Sequence, residues 1–76
     1  MITVYSTDTC PYCTLAKRYL SDKGVVFNEV NVARDQQAAR EMVKKTGQMG
    51  VPVLDIDGTV ILGFDKPRID AALKTA

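Results

Sequence analysis

Cys10-Pro11-Tyr12-Cys13 decides how this chain is read. These are the only two cysteines of the 76 residues, and two residues separate them. Val4-Tyr5 ahead of them belongs to an apolar, strand-like run. Leu15, Ala16, Tyr19 and Leu20 behind them recur at helical spacing and are expected to face a core, so a helix should start at the motif. Pro11 suits the first helical position, because the N–H it lacks would have no intrahelical partner there. Cys10 then falls near the N-cap, where unpaired backbone N–H groups and the positive end of the helix dipole favour an anion. A thiol so placed loses its proton more readily and becomes a better nucleophile near neutral pH. Cys13, one turn further in, is placed to attack a mixed disulfide on Cys10. Asp8 would act the other way if its carboxylate came close to Cys10; a solvated turn residue is its plainer role.

Three other readings of the pair compete. A structural disulfide across so short a loop closes little chain entropy and stabilises weakly. Half of a zinc site lacks its other half, since zinc usually takes four Cys or His ligands and this chain has no histidine. Inert core thiols would not need the strand before them and the helix after them. A strand–CxxC–helix segment opening a βαβ unit favours a redox site of the thioredoxin-like kind over all three.

Composition agrees with one small domain. A chain of this length buries about 60–65% of its unfolded surface. Hydrophobic residues make up 46% and charged residues 25%, with a net charge of +1, which is ordinary for a globular protein. The charges are mixed along the chain, so nothing points to nucleic acid or a membrane surface. Met1 leads directly into Ile2-Thr3-Val4-Tyr5, with no charged n-region or long apolar segment, and a cytoplasmic setting is the expectation. In that setting a lone CxxC is more often catalytic than structural.

Outward from the motif, residues 2–6 predict a buried strand and 11–22 a helix stopped by Gly24. Val25-Val26-Phe27 is expected to begin a second strand that continues through Val30 and Val32. The helix between the two strands suits a right-handed parallel crossover. Asp35 caps a helix over about 36–46, with Ala38, Ala39, Met42 and Val43 as its apolar face and Gly47 as its end. Val51-Pro52-Val53-Leu54 should start a third strand, and Asp57-Gly58 a hairpin into Thr59-Val60-Ile61-Leu62. Gly63-Phe64 breaks the run. Asp65 caps a last helix that has Pro67 in its first turn and Ile69, Ala72 and Leu73 on its buried side. The order βαβαββα predicts an α/β, thioredoxin-like fold: a four-stranded mixed sheet flanked by three helices.

At this point the sequence resembles the glutaredoxin superfamily over nearly its whole length. The resemblance rests on Val4-Tyr5-Ser6 before Cys10-Pro11-Tyr12-Cys13, on Thr46-Gly47 followed by Val51-Pro52, and on Gly63 with Asp65 before the last helix. It implies a thiol–disulfide oxidoreductase that reduces protein disulfides or glutathione mixed disulfides, with Cys10 and Cys13 catalytic. Such a protein holds no bound cofactor, takes glutathione as a possible co-substrate and is expected to be a monomer. The family also implies a cis bond before Pro52, which would turn the N–H and C=O of Val51 towards a substrate segment added like a strand. From the residues alone, Pro52 reads equally well as the first residue of an edge strand.

Three positions depart from the usual glutathione site. Thr7 stands where a lysine is typical, Met49 and Gly50 where a loop cation is usual, and Gly63-Phe64 where a Gly-Gly pair is expected. Each lost cation removes a charge-assisted contact to a glutathione carboxylate. Lys44, Lys45 and Arg68 are the cations left to compensate, and each is equally at home on a solvated surface. Asp65 matches the family acid that meets the glutathione amino group, and is as well explained as an N-cap.

The segment from Gly63 to Pro67 is similar instead to that of NrdH-type redoxins, which pass electrons to ribonucleotide reductase and are recycled by thioredoxin reductase. Tyr12 and Phe64 would then form an apolar rim suited to a protein partner. Phe64 serves equally as packing for the last helix. Two further classes follow from the family. One is an iron–sulfur module held between two subunits through the first cysteine and glutathione, against which stands the stiffening Pro11. The other is an interaction domain without turnover, against which stand both cysteines.

Overall fold

The computed structural model describes residues 1–75. Along the chain run β1 (Ile2–Ser6), α1 (Pro11–Asp22), β2 (Asn28–Asn31), α2 (Gln36–Thr46), β3 (Val53–Ile56), β4 (Thr59–Leu62) and α3 (Lys66–Thr75). The strands form one sheet in the order β2-β1-β3-β4. β1 and β2 are parallel, joined across α1; β1–β3 and β3–β4 are antiparallel. This is the thioredoxin-like mixed sheet that the element order predicts.

The two-residue side-chain period of a strand sorts the core into two layers. Val4, Leu54 and Ile56 point to one face, where Ala16 and Leu20 of α1 and Ile69 and Ala72 of α3 cover them. Tyr5 and Val53 point to the other, under Ala38 and Met42 of α2. The register keeps these sets apart, since Val4 pairs with Leu54 and Tyr5 with Val53. At the hairpin, Asp57 and Gly58 have φ of 49° and 95°, the two positive angles that a tight two-residue turn needs. Asp35 caps α2 by accepting the Ala38 N–H at 3.1 Å.

Three boundaries differ from the sequence expectation. Val25-Val26-Phe27 lies outside β2, whose ladder begins with Asn28 opposite Thr3. β1 starts at Ile2, so little backbone remains for the preceding residues to pair with. Val25 and Phe27 still pack on the α1–α3 layer, while Val26 is 91% exposed. Val32 also falls beyond the ladder, although its N–H reaches the Ser6 carbonyl at 2.9 Å. Val51 and Pro52 precede β3, since Pro52 has no N–H to give to a ladder; the bond between them is cis.

One side chain on α1 is also placed differently. Leu15 was expected in the core but is exposed, because the buried stripe of α1 runs through Cys13, Ala16 and Leu20. Cys13 occupies the core position one turn before Ala16, and Leu15 lies about 100° round the helix from that alanine. No helix among the described residues is long and apolar enough to cross a membrane.

Candidate active site

Cys10 is the N-cap of α1, in an extended backbone conformation, with Pro11 at the first helical position. Its Sγ accepts the backbone N–H of Cys13 at 3.1 Å, so the orphan N–H of the first turn points at sulfur. The two sulfurs are joined as a disulfide, with the Cα atoms 5.2 Å apart. The pair is asymmetric in access: Cys10 is half-buried, and Cys13 is fully buried.

The loop that delivers Cys10 is braced. The Asp8 carboxylate accepts from Asn31 Nδ2 at 2.8 Å and pairs with the Arg34 guanidinium at 3.0 Å. Asp8 is therefore more than the solvated turn residue its sequence suggests, because it ties the loop before the dithiol to the turn between β2 and α2. Lys17 pairs with Glu29, which also accepts from the Ser6 hydroxyl at 3.3 Å. Lys17 is thus engaged away from the sulfurs.

The register brings two further segments to the same end of the sheet. Tyr5 pairs with Val53, so Pro52 and Val51 lie past the C-terminal half of β1, at the end from which the Cys10 loop departs. The Pro52 carbonyl accepts the Gly63 N–H at 2.9 Å, which places Gly63, Phe64 and Asp65 beside them. Cys10, Tyr12, Cys13, Val51, Pro52, Gly63, Phe64 and Asp65 thus lie at one end of the fold.

The expected apolar rim is only half present. Tyr12 is 63% exposed. Phe64 instead packs on the core, with its ring edge-on to Tyr19 at 5.7 Å between centroids. Tyr19 in turn donates to Asp70 at 2.6 Å, and Lys23 pairs with the same carboxylate. The hydrogen bond to Asp70 foremost, then partial burial, raises the Tyr19 pKa; its bond from Tyr19, then that from Lys23, lowers the Asp70 pKa. Further apolar exposure comes from Leu15 on α1 and from Met49, in the loop before Val51. Sequence reasoning did not single out Met49 as a surface feature. Its position two residues before Val51-Pro52 was the available signal.

Two of the three cations that could meet glutathione carboxylates, Lys45 and Arg68, are engaged within the protein, whereas Lys44 has no carboxylate partner among the described residues. Lys45 bonds to Asp55 at 2.6 Å and to the Tyr5 hydroxyl at 2.9 Å. The bond to Asp55 first, then that to Tyr5, raises the Lys45 pKa strongly. Burial alone would raise the Asp55 carboxyl; the Lys45 ammonium and the Gly58 N–H outweigh it and hold that carboxyl below the usual range. Arg68 pairs with Asp65 at 3.3 Å. Asp65 also accepts the Arg68 backbone N–H at 3.3 Å, so it caps α3 as expected. Among the described residues no three His, Cys, Asp or Glu side chains are grouped to hold a metal.

A disulfide at the head of a helix, on a thioredoxin-like sheet with a cis proline at the same end, defines a thiol–disulfide oxidoreductase. The chain belongs to the glutaredoxin family, whose model matches residues 2–61. It is 47% identical to a glutaredoxin-like 8.6 kDa protein in the rubredoxin operon of Clostridium pasteurianum, over 97% of this chain and 99% of that one. It is 41% identical to glutaredoxin 3 of Escherichia coli K12, over 84% of this chain and 77% of the other. Among solved structures it superposes on the glutaredoxin-like NrdH-redoxin of Escherichia coli, described for its thioredoxin-like activity profile. That match has a TM-score of 0.81 and 28% identity, covering 92% of this chain and 91% of that chain.

Proposed function

We propose that the protein reduces protein disulfides and is itself re-reduced by a thioredoxin reductase. Cys10 is the attacking sulfur. As a thiolate it displaces one sulfur of the substrate disulfide, which leaves as a thiolate and takes up a proton. Cys13, once deprotonated, attacks Cys10, frees the second substrate thiolate and leaves the Cys10–Cys13 disulfide. Two electrons pass to the substrate, and two from the reductase restore the dithiol. No histidine is present to act as a base, so the α1 N–H groups carry the stabilisation of the Cys10 anion.

The observation that supports the choice of donor is how the groups that could meet glutathione are engaged. Thr7 and Gly50 bring no charge, Lys45 is held by Asp55, and Arg68 and Asp65 hold each other. A glutathione molecule would have to break these pairs to gain its own. The NrdH likeness points the same way, and with it to ribonucleotide reductase as one protein disulfide to be reduced. Identity to glutaredoxin 3 favours the second reading, in which glutathione is the donor and glutathione mixed disulfides are substrates.

A coupled NADPH assay separates the two. One arm contains thioredoxin reductase, the other glutathione with glutathione reductase. Turnover in the first arm alone is the expected result; turnover in the second alone would assign glutathione.

A further inference from the structure

α2 has more apolar surface than the sheet covers. Ala38 and Met42 are buried against it, whereas Ala39 and Val43, about 100° further round, are only half-buried. With Val32 and Met49 they floor a shallow groove of about 580 Å³, edged by Arg40 and Lys44. Arg40 and Lys44 stand four residues apart, so their side chains leave the helix about 5–6 Å from one another. Among the described residues neither has a carboxylate within ion-pair distance, which is also true of Arg18, Lys66 and Lys74 but of no other pair of cations edging a groove. Glu41, the one acid of α2, lies on the other flank with Gln37 and Lys45. The groove therefore has an apolar floor and a positive edge whose two cations form no ion pair among the described residues. Besides the two cations only Gln36 brings a polar side chain to its lining, few for a site that orients a small molecule. Met49, 64% exposed, connects it through Gly50 to Val51 and Pro52 at the dithiol end.

We propose that this groove seats an acidic amphipathic helix of the protein whose disulfide is exchanged at Cys10. Such a helix lays its apolar side chains over Ala39, Val43 and Met49 and aligns two carboxylates, four residues apart, with Arg40 and Lys44. Roughly two helical turns cover the length involved. The inference rests on the reading that Cys10 exchanges disulfides with a protein, and it adds what that protein presents.

The test is a single turnover of pre-reduced protein, which needs no electron donor. The probes are two synthetic amphipathic peptides with the same leucines and the same disulfide-blocked cysteine. One carries glutamates four residues apart beside the leucines; the other carries lysines there. Hydroxyethyl disulfide is the small substrate.

The wild-type protein is expected to react with the acidic peptide about tenfold faster, the product of two exposed ion pairs worth about threefold each. The preference should shrink as salt rises. R40Q/K44Q should erase it, R40E/K44E should invert it, and M49D should slow the acidic peptide. R40Q/K44Q and R40E/K44E should reduce hydroxyethyl disulfide at the wild-type rate. Equal rates for the two peptides, or a preference indifferent to Arg40 and Lys44, would overturn the proposal. If the wild-type protein fails to reduce hydroxyethyl disulfide as well, the dithiol assignment itself has failed, and the two outcomes are distinct.

Discussion

Lys45→Met isolates the contact that ties the last turn of α2 to β1 and β3. Methionine keeps the apolar stem and removes the ammonium. Two hydrogen bonds are lost, at 2.6 Å to Asp55 and 2.9 Å to Tyr5. A charge-assisted bond contributes about 1.5–3 kcal/mol in protected surroundings. Lys45 is 37% exposed and Asp55 17%, so solvent screening reduces the expected loss to about 1–2 kcal/mol. For a domain of this size that lowers Tm by about 5–15 °C.

The pH dependence gives the sign. The folded-state carboxyl of Asp55 sits below its unfolded value, so its contribution is present above the usual carboxylate range and is lost as pH falls through the folded value. Lys45 is shifted up, so its contribution is present at neutral pH and is lost only in strong alkali. In the Lys45→Met protein Asp55 keeps its burial but loses its cation, and protonation relieves it. The stability gap between wild type and variant should therefore be full at neutral pH and narrow as the medium is acidified below about pH 4. Urea denaturation at both pH values measures it, and K45M/D55N should recover much of the loss because neither charge is then left unpaired. An equal gap at both pH values, or no recovery in the double variant, would refute the assignment of this pair.

Further expectations follow from the same residues. Cys10→Ser should abolish disulfide reduction, while Cys13→Ser should stall as a mixed disulfide on Cys10, visible by intact-protein mass spectrometry. Asp65→Ala should cost about 1 kcal/mol through loss of the α3 cap, and Asp65→Asn, which can still cap, far less; equal losses in thermal melts would assign the role to charge instead. Met42→Ala, which removes the fully buried anchor of α2, should cost about 2–5 kcal/mol in chemical denaturation.

The fold was legible because each element carries its own punctuation. Pro11, Asp35 and Asp65 mark helix starts, and Gly24, Gly47 and Asp57-Gly58 mark reversals, all local signals. What misled were features set by partners distant in sequence. The start of β2 depends on how much of β1 lies opposite, which Val25-Val26-Phe27 cannot encode. Leu15 looked like a core residue because Cys13 was read for its chemistry and left out of the buried stripe. The sulfurs could be placed from spacing, whereas Val51-Pro52 and Gly63 to Asp65 are assigned to the site by the family resemblance. That Lys45 and Arg68 turn inward to Asp55 and Asp65 is a matter of tertiary pairing, invisible in one dimension.

The burial of Cys13 has a bearing on oxidative damage. In the reduced protein a peroxide should meet Cys10 first and oxidise it to a sulfenic acid, the one reversible rung before irreversible over-oxidation. The sheltered neighbour, one helical turn away, condenses with that acid, expels water and returns the pair to the disulfide. A sulfur that solvent cannot touch thus acts as a standing repair reagent for the one it can.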